Sequence, residues 1–366
     1  MKAVVLVGGE GTRLRPLTYT TPKQLLPIVE VPLLERVLVH LADGGVDEVV
    51  LSLGYRPDAF LVAYPDAVAA GIGLSYAVEP EPLDTAGAIA FAAGAARITE
   101  TFVAVNGDVL TDVDVATLVA RHRRQGAQAT LHLTAVEDPS RFGVVGVDAD
   151  GRVTQFVEKP APGQAPSNLI NAGTYVLEPD VLDRIPAGRR VSIEREVFPA
   201  LAAEGAVCGV ASDAYWLDAG TPAAYLQAHA DLLNGVRPGS PAPGAEKVAD
   251  GVWVLGRPLL DGDVRPSSLI GSGAVVGAGA RVGASVVGAG CVVQRGAVVE
   301  GSVLLPGAHV GRGASVTGSI LGRNAVVAED CVVAALTVVG DDEVLGRGVH
   351  LSEARVPVGP AAGSRE

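Results

Sequence analysis

The first residues that suggest chemistry form a glycine-rich segment with positive charges nearby. Residues 8–13 read GGEGTR directly after an apolar run, and Lys23 follows in the same segment. Glycines let main-chain N–H groups come close to a phosphate, and the guanidinium of Arg13 adds a fork of donors. Lys23 adds a compact point charge. The spacing matches neither the GxGxxG of dinucleotide-binding folds nor the GxxxxGKS or GxxxxGKT of P-loop enzymes, which disfavours a dehydrogenase or an ATPase.

The overall composition means that any phosphate must be held by such a local cluster. The chain of 366 residues carries 41 Asp and Glu against 28 Lys and Arg, a formal charge of -13. This balance argues against a general nucleic-acid or anionic-membrane binder, because both need a basic surface. No apolar run approaches the about 20 residues of a membrane span, and from the first residues we expect no cleavable leader. Since Cys208, Cys291 and Cys331 form neither a disulfide framework nor a metal-ligand spacing, we expect a cytoplasmic protein.

The elements that must position these groups alternate along the first part of the chain. Strand-like and helix-like patterns predict strands at 3–7, 48–53, 74–77 and 101–105, and amphipathic helices at 33–43 and 114–125. Such alternation predicts a Rossmann-like α/β domain with a mostly parallel sheet and helices on both faces. Ligands of such sheets bind over the carboxyl ends of the strands, so a motif directly after a strand is where chemistry is expected.

A different pattern begins after residue 235. Residues 236–250 are rich in Gly and Pro and predict a linker, and residues 356–366 predict a flexible tail. Between them, over 251–355, an aliphatic residue recurs every six positions, occasionally every five, which is typical of a solenoid with aliphatic side chains stacked inside its coils. The predicted inward series is Ile270, Val276, Val282, Val287, Val293, Val299, Leu305, Val310, Val316, Leu321, Val327, Val333, Val339, Leu345 and Leu351. This stretch resembles the hexapeptide-repeat left-handed parallel β-helix.

The N-terminal motifs together carry a more specific resemblance. The string GGEGTRLRPLT, followed by PK and a further Pro, resembles the signature of the sugar-1-phosphate nucleotidyltransferases, also called nucleotide-sugar pyrophosphorylases. Further motifs of that family follow in order: EPEPLDTAG at 79–87, NGD at 106–108, FG at 142–143, EKP at 158–160, NAG at 171–173 and WLDAGT at 216–221. The resemblance covers about residues 1–235.

The resemblance implies roles for individual residues. The catalytic set it implies is Arg13, Lys23, Asp108, Lys159 and Asp218. Nucleotide contacts are implied for Leu6, Gly8, Gly9, Gly11, Thr12, Arg13, Glu79, Leu83, Asp84, Thr85 and Gly107. Sugar-phosphate contacts are implied for Gly143, Glu158, Lys159, Asn171 and Gly173. The metal ligands would be Asp108 and Asp218, with Mg²⁺ as the cofactor.

The chemistry of nucleotidyl transfer suits these residue types. A phosphate oxygen of the sugar 1-phosphate attacks the α-phosphorus of a nucleoside triphosphate in line, and pyrophosphate leaves. One phosphoanhydride replaces another, so the protein mainly has to bring two polyanions together and neutralise them. Two carboxylates, Asp108 and Asp218, suit Mg²⁺ because it prefers hard oxygen ligands. Arg13 and Lys23 would then face the leaving pyrophosphate, while Lys159 would orient the attacking phosphate.

The choice of nucleotide and sugar is less constrained. Guanine presents two adjacent N–H donors, and the base segment offers three carboxylates, Glu79, Glu81 and Asp84, so GTP is favoured over UTP or dTTP. Within the family, PLDTAGA and residues 191–201 most resemble the mannose-1-phosphate guanylyltransferases. That subfamily usually has Gly where this chain has Asp84, so either the backbone path differs or a carboxylate reads the base. Alternatives are thymidylyl or uridylyl transfer to glucose 1-phosphate, or guanylyl transfer to a heptose or cyclitol phosphate.

The solenoid leaves two further classes of function open. Hexapeptide helices often carry acyltransferases, which need a general-base histidine, and this stretch offers only His309 and His350. A catalytically silent regulatory homologue is the other alternative, although the motif residues for activity are all present. We expect the β-helix to serve self-association and control instead, giving a homo-oligomer.

Overall fold

The computed structural model describes residues 1–237 and 239–357, and the residues group into two compact units. The first unit contains Met1–Gly9 and Leu34–Leu217, and the second contains Glu10–Leu33 and the chain from Asp218 onward. The glycine-rich segment is therefore divided, because its continuation from Glu10 belongs with the C-terminal part of the chain. Grouping the residues by their contacts thus divides the chain at other positions than residue 235, where the sequence predicts the end of the first domain. Residues 358–366 of the predicted tail, and Pro238 of the predicted linker, lie outside the described residues.

The N-terminal part contains short strands and helices in alternation, as predicted. Its strands are β1 (Lys2–Leu6), β2 (Pro27–Ile28), β3 (Val31–Pro32), β4 (Glu48–Leu53), β5 (Val68–Ala69), β6 (Ile72–Val78), β7 (Phe102–Asn106), β8 (Val109–Thr111), β9 (Ala129–Ala135), β10 (Gly143–Val147), β11 (Val153–Glu158), β12 (Leu169–Leu177), β13 (Val207–Ala211) and β14 (Trp216–Asp218). Its helices are α1 (Leu33–Asp43), α2 (Pro57–Ala63), α3 (Asp84–Ala95), α4 (Val115–Gln125), α5 (Phe198–Ala203) and α6 (Pro222–Leu233).

The sheet of the first unit is mixed, with a parallel centre. Its order is β11-β10-β12-β7-β1-β4-β6-β5, and β9 and β13 extend it beside β12. Strand β1 pairs in parallel with β4 and β7, and β4 pairs in parallel with β6. Strand β12 runs antiparallel to β7. The predicted Rossmann-like, mostly parallel sheet is confirmed, and the carboxyl ends of β1 and β7 lie side by side.

Apolar burial explains why these segments form strands and helices. Val4, Ala104 and Phe102 on the central strands and Ile89 on α3 are fully buried in one continuous core. Fully burying one such large side chain contributes about 1.5–3 kcal/mol. Helix α4 begins where Asp114 accepts the Thr117 N–H, so the residue predicted to start this helix is its N-cap.

The second unit contains the predicted β-helix. Its strands are β15 (Glu246–Ala249), β16 (Val252–Val254), β17 (Leu259–Leu260), β18 (Asp263–Val264), β19 (Ser268–Ile270), β20 (Val275–Val276), β21 (Arg281–Gly283), β22 (Val286–Val287), β23 (Val292–Val293), β24 (Val298–Glu300), β25 (Val303–Leu304), β26 (His309–Val310), β27 (Ser315–Thr317), β28 (Ile320–Leu321), β29 (Val326–Val327), β30 (Val332–Ala334), β31 (Val338–Val339), β32 (Val344–Leu345), β33 (His350–Ser352) and β34 (Arg355–Val356). They stack into three sheets, β15-β16-β19-β22-β25-β28-β31-β34, β17-β20-β23-β26-β29-β32 and β18-β21-β24-β27-β30-β33.

Two details of this part differ from the sequence-based expectation. Leu304, rather than Leu305, aligns with Val287 and Leu321 and joins the inner core, so the predicted inward position is wrong by one residue. Two adjacent leucines cannot be told apart by an apolar period, because the coil needs only one of them inside. The predicted linker also contains a strand, since β15 pairs antiparallel with β16.

Other predictions of composition are consistent with the structure. Cys208, Cys291 and Cys331 are buried and form no disulfide. Burial raises the pKa of the Cys208 thiol, and it raises the pKa of the Cys291 thiol to about 12, so both stay protonated at neutral pH. Within residues 1–237 and 239–357, no helix is both long and apolar enough to cross a membrane.

Candidate active site

In the first unit, the glycine-rich segment begins at the carboxyl end of β1. Leu6 ends that strand, and the carbonyl of Gly8 accepts the Tyr55 N–H at 3.1 Å. Gly9 follows on the surface, with no atom within 4 Å of the position where a Cβ would stand. The chain thus leaves the sheet with open space above it, at the edge where ligands of such sheets bind.

Glu79 lies in the predicted base-binding segment, and its carboxylate accepts hydrogen bonds from other residues of the protein. One oxygen accepts from the Ser52 hydroxyl at 3.0 Å and the other from the Leu83 N–H at 3.0 Å. Leu83 itself is buried. Glu79 therefore shapes the loop before α3, and the exposed carboxylates of this segment are those of Glu81 and Asp84.

Asp84 adopts a backbone conformation that favours glycine. Its φ is +60°, and its carboxylate accepts the Thr85 N–H at 2.9 Å. Aspartate tolerates the left-handed region better than most residues because its short side chain can bond locally. Of the two explanations for the Asp in place of the subfamily's usual Gly, an altered backbone path is the less favoured, since glycine would adopt this φ readily.

Sequence reasoning missed a residue beside this loop, Glu194. The Thr85 hydroxyl donates to the Glu194 carboxylate at 2.7 Å and accepts the Ile193 N–H at 2.9 Å. Ser192 donates to the same carboxylate at 2.8 Å. Thr85 thus ties the start of α3 to residues 192–194. Glu194 lies within 191–201, a stretch that carried the subfamily resemblance but no assigned role.

Asp108 lies in the turn that follows β7. The Gly107 N–H donates to the Leu6 carbonyl at 3.0 Å, which fixes this turn beside the end of β1. Asp108 is half-buried, between the end of β7 and the start of β8. The predicted placement of this carboxylate at a strand end is therefore found.

The predicted sugar-phosphate residues form two groups in the first unit. Gly143 stands opposite Glu158 in the β10–β11 pair, and Lys159 follows with its Nζ 3.4 Å from the Glu158 carboxylate. The Lys159 side chain is 59% exposed, so its ammonium is available to a ligand. In the second group, Asn171 donates to the Tyr175 hydroxyl at 2.8 Å and accepts the Gly173 N–H at 3.1 Å.

A tryptophan supports the second group. The Trp216 indole N–H donates to the Ala172 carbonyl at 2.8 Å, between Asn171 and Gly173. Its ring meets the Phe142 ring edge-on, with centroids 5.5 Å apart. Phe142 precedes Gly143, so Trp216 is in contact with the segments that carry both groups.

In the second unit, Arg13 lies against Asp218. The Arg13 guanidinium Nη2 is 3.4 Å from Asp218 Oδ2, and Asp218 Oδ1 accepts the Gly220 N–H at 2.8 Å. A Cβ at position 220 would lie 2.6 Å from Arg13 Nη2 and 2.7 Å from Asp218 Oδ1, so both side chains would have to shift. The glycine of WLDAGT therefore makes room for this pair. Arg13 remains 50% exposed and Asp218 24% exposed, which leaves both open to a ligand.

Gly11, Thr12 and Lys23 accompany Arg13 in this unit. Thr12 and Arg13 begin the 3-10 turn Thr12–Leu14, and Lys23 begins another, Lys23–Leu25. Gly11 has a φ of +63°, and its Cβ position would lie 3.1 Å from Lys23 Cβ. The Thr18 hydroxyl donates to the Gly11 carbonyl at 2.9 Å. The segment that carries both predicted phosphate-binding cations thus folds back on itself at Gly11.

The carboxylates of the predicted site suit a magnesium ion that is bound by protein and substrate together. Across the described residues, no group of three or more His, Cys, Asp or Glu side chains is placed to hold a metal by itself. Mg²⁺ is commonly bound by one or two carboxylates together with waters and substrate phosphates. Asp108 and Asp218, each partly exposed at a strand end, are residues of the type that such a site needs.

Comparisons with known proteins agree with these motifs. Residues 2–235 match the model of the nucleotidyl transferase family, and residues 260–351 match that of the LbH domain of the EIF2B epsilon subunit. A mannose-1-phosphate guanylyltransferase of Mycobacterium tuberculosis is 44% identical over 78% of this chain and 79% of its own. A mannose-1-phosphate guanylyltransferase catalytic subunit beta of Dictyostelium discoideum is 38% identical over 74% of this chain and 73% of its own.

A solved structure shares the fold of the N-terminal part. HddC from Yersinia pseudotuberculosis, complexed with GMP-PN, aligns with a TM-score of 0.54 and 29% identity over 62% of this chain and 97% of its own. The family model spans more than half of the chain, and the site residues lie within the part it matches. The chain therefore belongs to the nucleotidyl transferase family and carries a hexapeptide-repeat β-helix after its nucleotidyl transferase region.

Proposed function

We propose that this protein is a mannose-1-phosphate guanylyltransferase, which makes GDP-mannose and pyrophosphate from GTP and mannose 1-phosphate. The observation that carries the proposal is the 44% identity, over 78% of the chain, to a relative of that name. The site residues support it, because the cations and carboxylates suited to nucleotidyl transfer are each at least partly exposed.

In the proposed reaction, a phosphate oxygen of mannose 1-phosphate forms a bond to the α-phosphorus of GTP. The bond between the α-phosphorus and the bridging oxygen breaks, and pyrophosphate leaves with the electron pair. Arg13 and Lys23 bind the β- and γ-phosphates and neutralise the charge that develops on them. Lys159 binds and orients the attacking phosphate. Asp108 and Asp218 would hold Mg²⁺, which supplies charge neutralisation of the triphosphate when bound.

We expect GTP to give the highest kcat/KM when GTP, UTP, dTTP and ATP are compared with mannose 1-phosphate. The expected margin is about tenfold or more, because a wrong base leaves donor or acceptor groups of the pocket unpaired. Steady-state pyrophosphate release measures it. A higher kcat/KM for UTP or dTTP would contradict the proposal, and glucose 1-phosphate serves as the matched sugar control.

The variant Asp84→Gly separates two explanations for the base preference. Glycine restores the subfamily's usual residue and suits the φ of +60°, so the backbone should keep its path. A loss of kcat/KM confined to GTP would assign base reading to the Asp84 carboxylate. Parental kcat/KM with each nucleotide would leave Glu81 as the exposed carboxylate of the segment.

Within residues 1–237 and 239–357, the structure gives no support to acyl transfer or to a silent homologue. His309 lies on β26 and His350 on β33, which belong to different sheets of the β-helix. Neither accompanies a described cluster that would complete a general-base site. The complete motif set argues against a silent homologue, because each cation and carboxylate suited to the reaction is retained.

We infer that the protein self-associates through its β-helix in the cytoplasm. A regular stack of strands offers extended faces to a second copy, and the buried thiols suit a reducing compartment. Light scattering of the full chain should give a mass above the 37.1 kDa of one subunit. A mass of one subunit at micromolar concentration would contradict this inference.

A further inference from the structure

The segment Glu10–Leu33 carries Arg13 and Lys23 but has little regular structure of its own. It contains three short 3-10 turns, Thr12–Leu14, Leu17–Tyr19 and Lys23–Leu25, and the two-residue strands β2 and β3. Segments with few internal ladder bonds are held mainly by what they pack against. Contacts with the rest of the second unit, in which the segment is grouped, therefore help to set its conformation.

The turn between β2 and β3 is the least relaxed part of this segment. Val29 and Glu30 both have positive φ, 47° and 63°. The left-handed region is unfavourable for a β-branched residue, so other contacts must offset the strain. Two of them come from α6, where His229 Nδ1 accepts the Val29 N–H at 3.2 Å and the Tyr225 hydroxyl donates to the Pro27 carbonyl.

A third contact comes from the β-helix, through Glu30. The Glu30 carboxylate accepts the Ala289 N–H at 3.1 Å, and its other oxygen would lie 3.0 Å from a Cβ on Gly288. The carboxylate therefore sits directly on the backbone of one coil. Burial raises the pKa of Glu30, and the Ala289 N–H and the charge of Arg323 offset only part of that rise.

A second β-helix contact lies three coils farther along, at Asp341. Its carboxylate accepts from the Thr20 hydroxyl at 2.5 Å and, through the other oxygen, from the Arg323 N–H at 2.8 Å. Pro16 packs beside it, since a Cβ on Gly340 would lie 3.3 Å from Pro16 Cβ. Thr20 directly follows the turn Leu17–Tyr19, so this contact fixes the segment between Arg13 and Lys23.

We propose that Glu30 and Asp341 are positioning residues, through which the β-helix sets the conformation of the segment that presents Arg13 and Lys23 to the triphosphate. The inference rests on the proposed function for the identity of the ligand. It gives the β-helix a direct part in catalysis that needs neither a second subunit nor an effector. Neither residue touches substrate in this proposal, and each acts by hydrogen bonds to Ala289 or Thr20.

The test uses the full-length chain with Glu30→Ala, Glu30→Gln, Asp341→Ala and Thr20→Val. Glu30→Ala and Asp341→Ala should each lower kcat/KM for GTP about tenfold, with a raised KM, because misplaced cations weaken triphosphate binding. Glu30→Gln keeps an oxygen acceptor for the Ala289 N–H and should stay within about threefold of the parent. Asp263→Ala is the matched control, since it removes an exposed β-helix carboxylate whose partner is Arg265.

Hydrogen exchange of peptides from residues 10–33 gives a readout that needs no substrate. Exchange should rise in Glu30→Ala and Asp341→Ala and stay unchanged in Asp263→Ala. If Glu30→Ala fails to fold, the Thr20→Val and Asp341→Ala pair still tests the second contact. The Thr20→Val/Asp341→Ala double variant should cost no more than Asp341→Ala alone, because Asp341→Ala already removes the hydrogen bond that Thr20→Val removes.

Three results would overturn the proposal. The first is parental kcat/KM and parental hydrogen exchange in both Glu30→Ala and Asp341→Ala. The second is a loss of kcat/KM in Glu30→Gln equal to that in Glu30→Ala. The third is a double variant of Thr20→Val and Asp341→Ala whose loss equals the sum of the two single losses. Failure of the proposed function is separate, because it would appear as a parent protein inactive with GTP and mannose 1-phosphate while exchange over 10–33 still responded to the variants.

Discussion

Replacing Asp108 with asparagine should lower kcat/KM for GTP by about 10³-fold while leaving the fold intact. Asparagine has nearly the same shape but lacks the negative charge that makes a carboxylate a strong ligand for Mg²⁺. Charge stabilisation of this kind is worth several kcal/mol, and about 4 kcal/mol corresponds to 10³-fold. Asp108 is half-buried in a turn fixed by the Gly107 hydrogen bond to Leu6, so substitution should not move the chain.

Pyrophosphate release at increasing Mg²⁺ measures the effect, and binding of Mn²⁺ by electron paramagnetic resonance gives a second readout without turnover. The matched control is Asp114→Asn, because Asp114 is an exposed N-cap of α4 and asparagine caps a helix equally well. That variant should keep parental activity and metal binding. Near-parental turnover in Asp108→Asn would contradict the metal assignment.

Much of the fold could be predicted because apolar periodicity directly reports burial. The helix predicted at 33–43 is α1, Leu33–Asp43, and the strand predicted at 48–53 is β4, Glu48–Leu53. The repeat every six residues likewise predicted the β-helix, whose coils align at 17-residue steps such as Ile270 with Val287. Where two apolar residues were adjacent, as at Leu304 and Leu305, periodicity could not choose between them.

The contacts of the segment Glu10–Leu33 could not be predicted in the same way. Glu30 and Ala289 are 259 positions apart, and Thr20 and Asp341 are 321 apart. Neither pair leaves a local pattern in the sequence. A single carboxylate in a turn, such as Glu30, or on a coil, such as Asp341, cannot be distinguished in the sequence from a solvated surface charge. For this reason sequence reasoning assigned the whole of 1–235 to one domain, although contacts group 10–33 with the β-helix.

The residues of the candidate site could be predicted where they belong to a known motif. The hydrogen bonds by which one side chain holds another in place could not be predicted. Arg13, Asp218 and Gly220 all lie within recognised motifs, and they lie close together in the structure. Glu79 also lies within a motif, and each of its oxygens already accepts a hydrogen bond, one from Ser52 and one from Leu83. A count of carboxylates in a segment cannot show which of them are already hydrogen-bonded.

The second large effect is expected at Arg13. Arg13→Ala should lower kcat/KM for GTP about 10²-fold, because one charge-assisted fork of donors to the leaving pyrophosphate is lost. Its effect on stability should be small, since an exposed ion pair contributes about 0–1 kcal/mol and Arg13, 3.4 Å from Asp218, is 50% exposed.

Arg13→Lys should restore part of the loss, because lysine keeps the charge but not the planar fork. Arg15→Ala is the matched control two positions along the chain, where the guanidinium is paired with Glu10 at 2.7 Å and lies over the Tyr19 ring. If Arg13 binds the leaving group, its replacement should also slow the reverse reaction with pyrophosphate, whereas Arg15→Ala should slow neither direction by more than about threefold. Equal losses of kcat/KM in Arg13→Ala and Arg15→Ala would instead assign the effect to the conformation of the segment. The charge of Arg13 would then have no specific part in binding pyrophosphate.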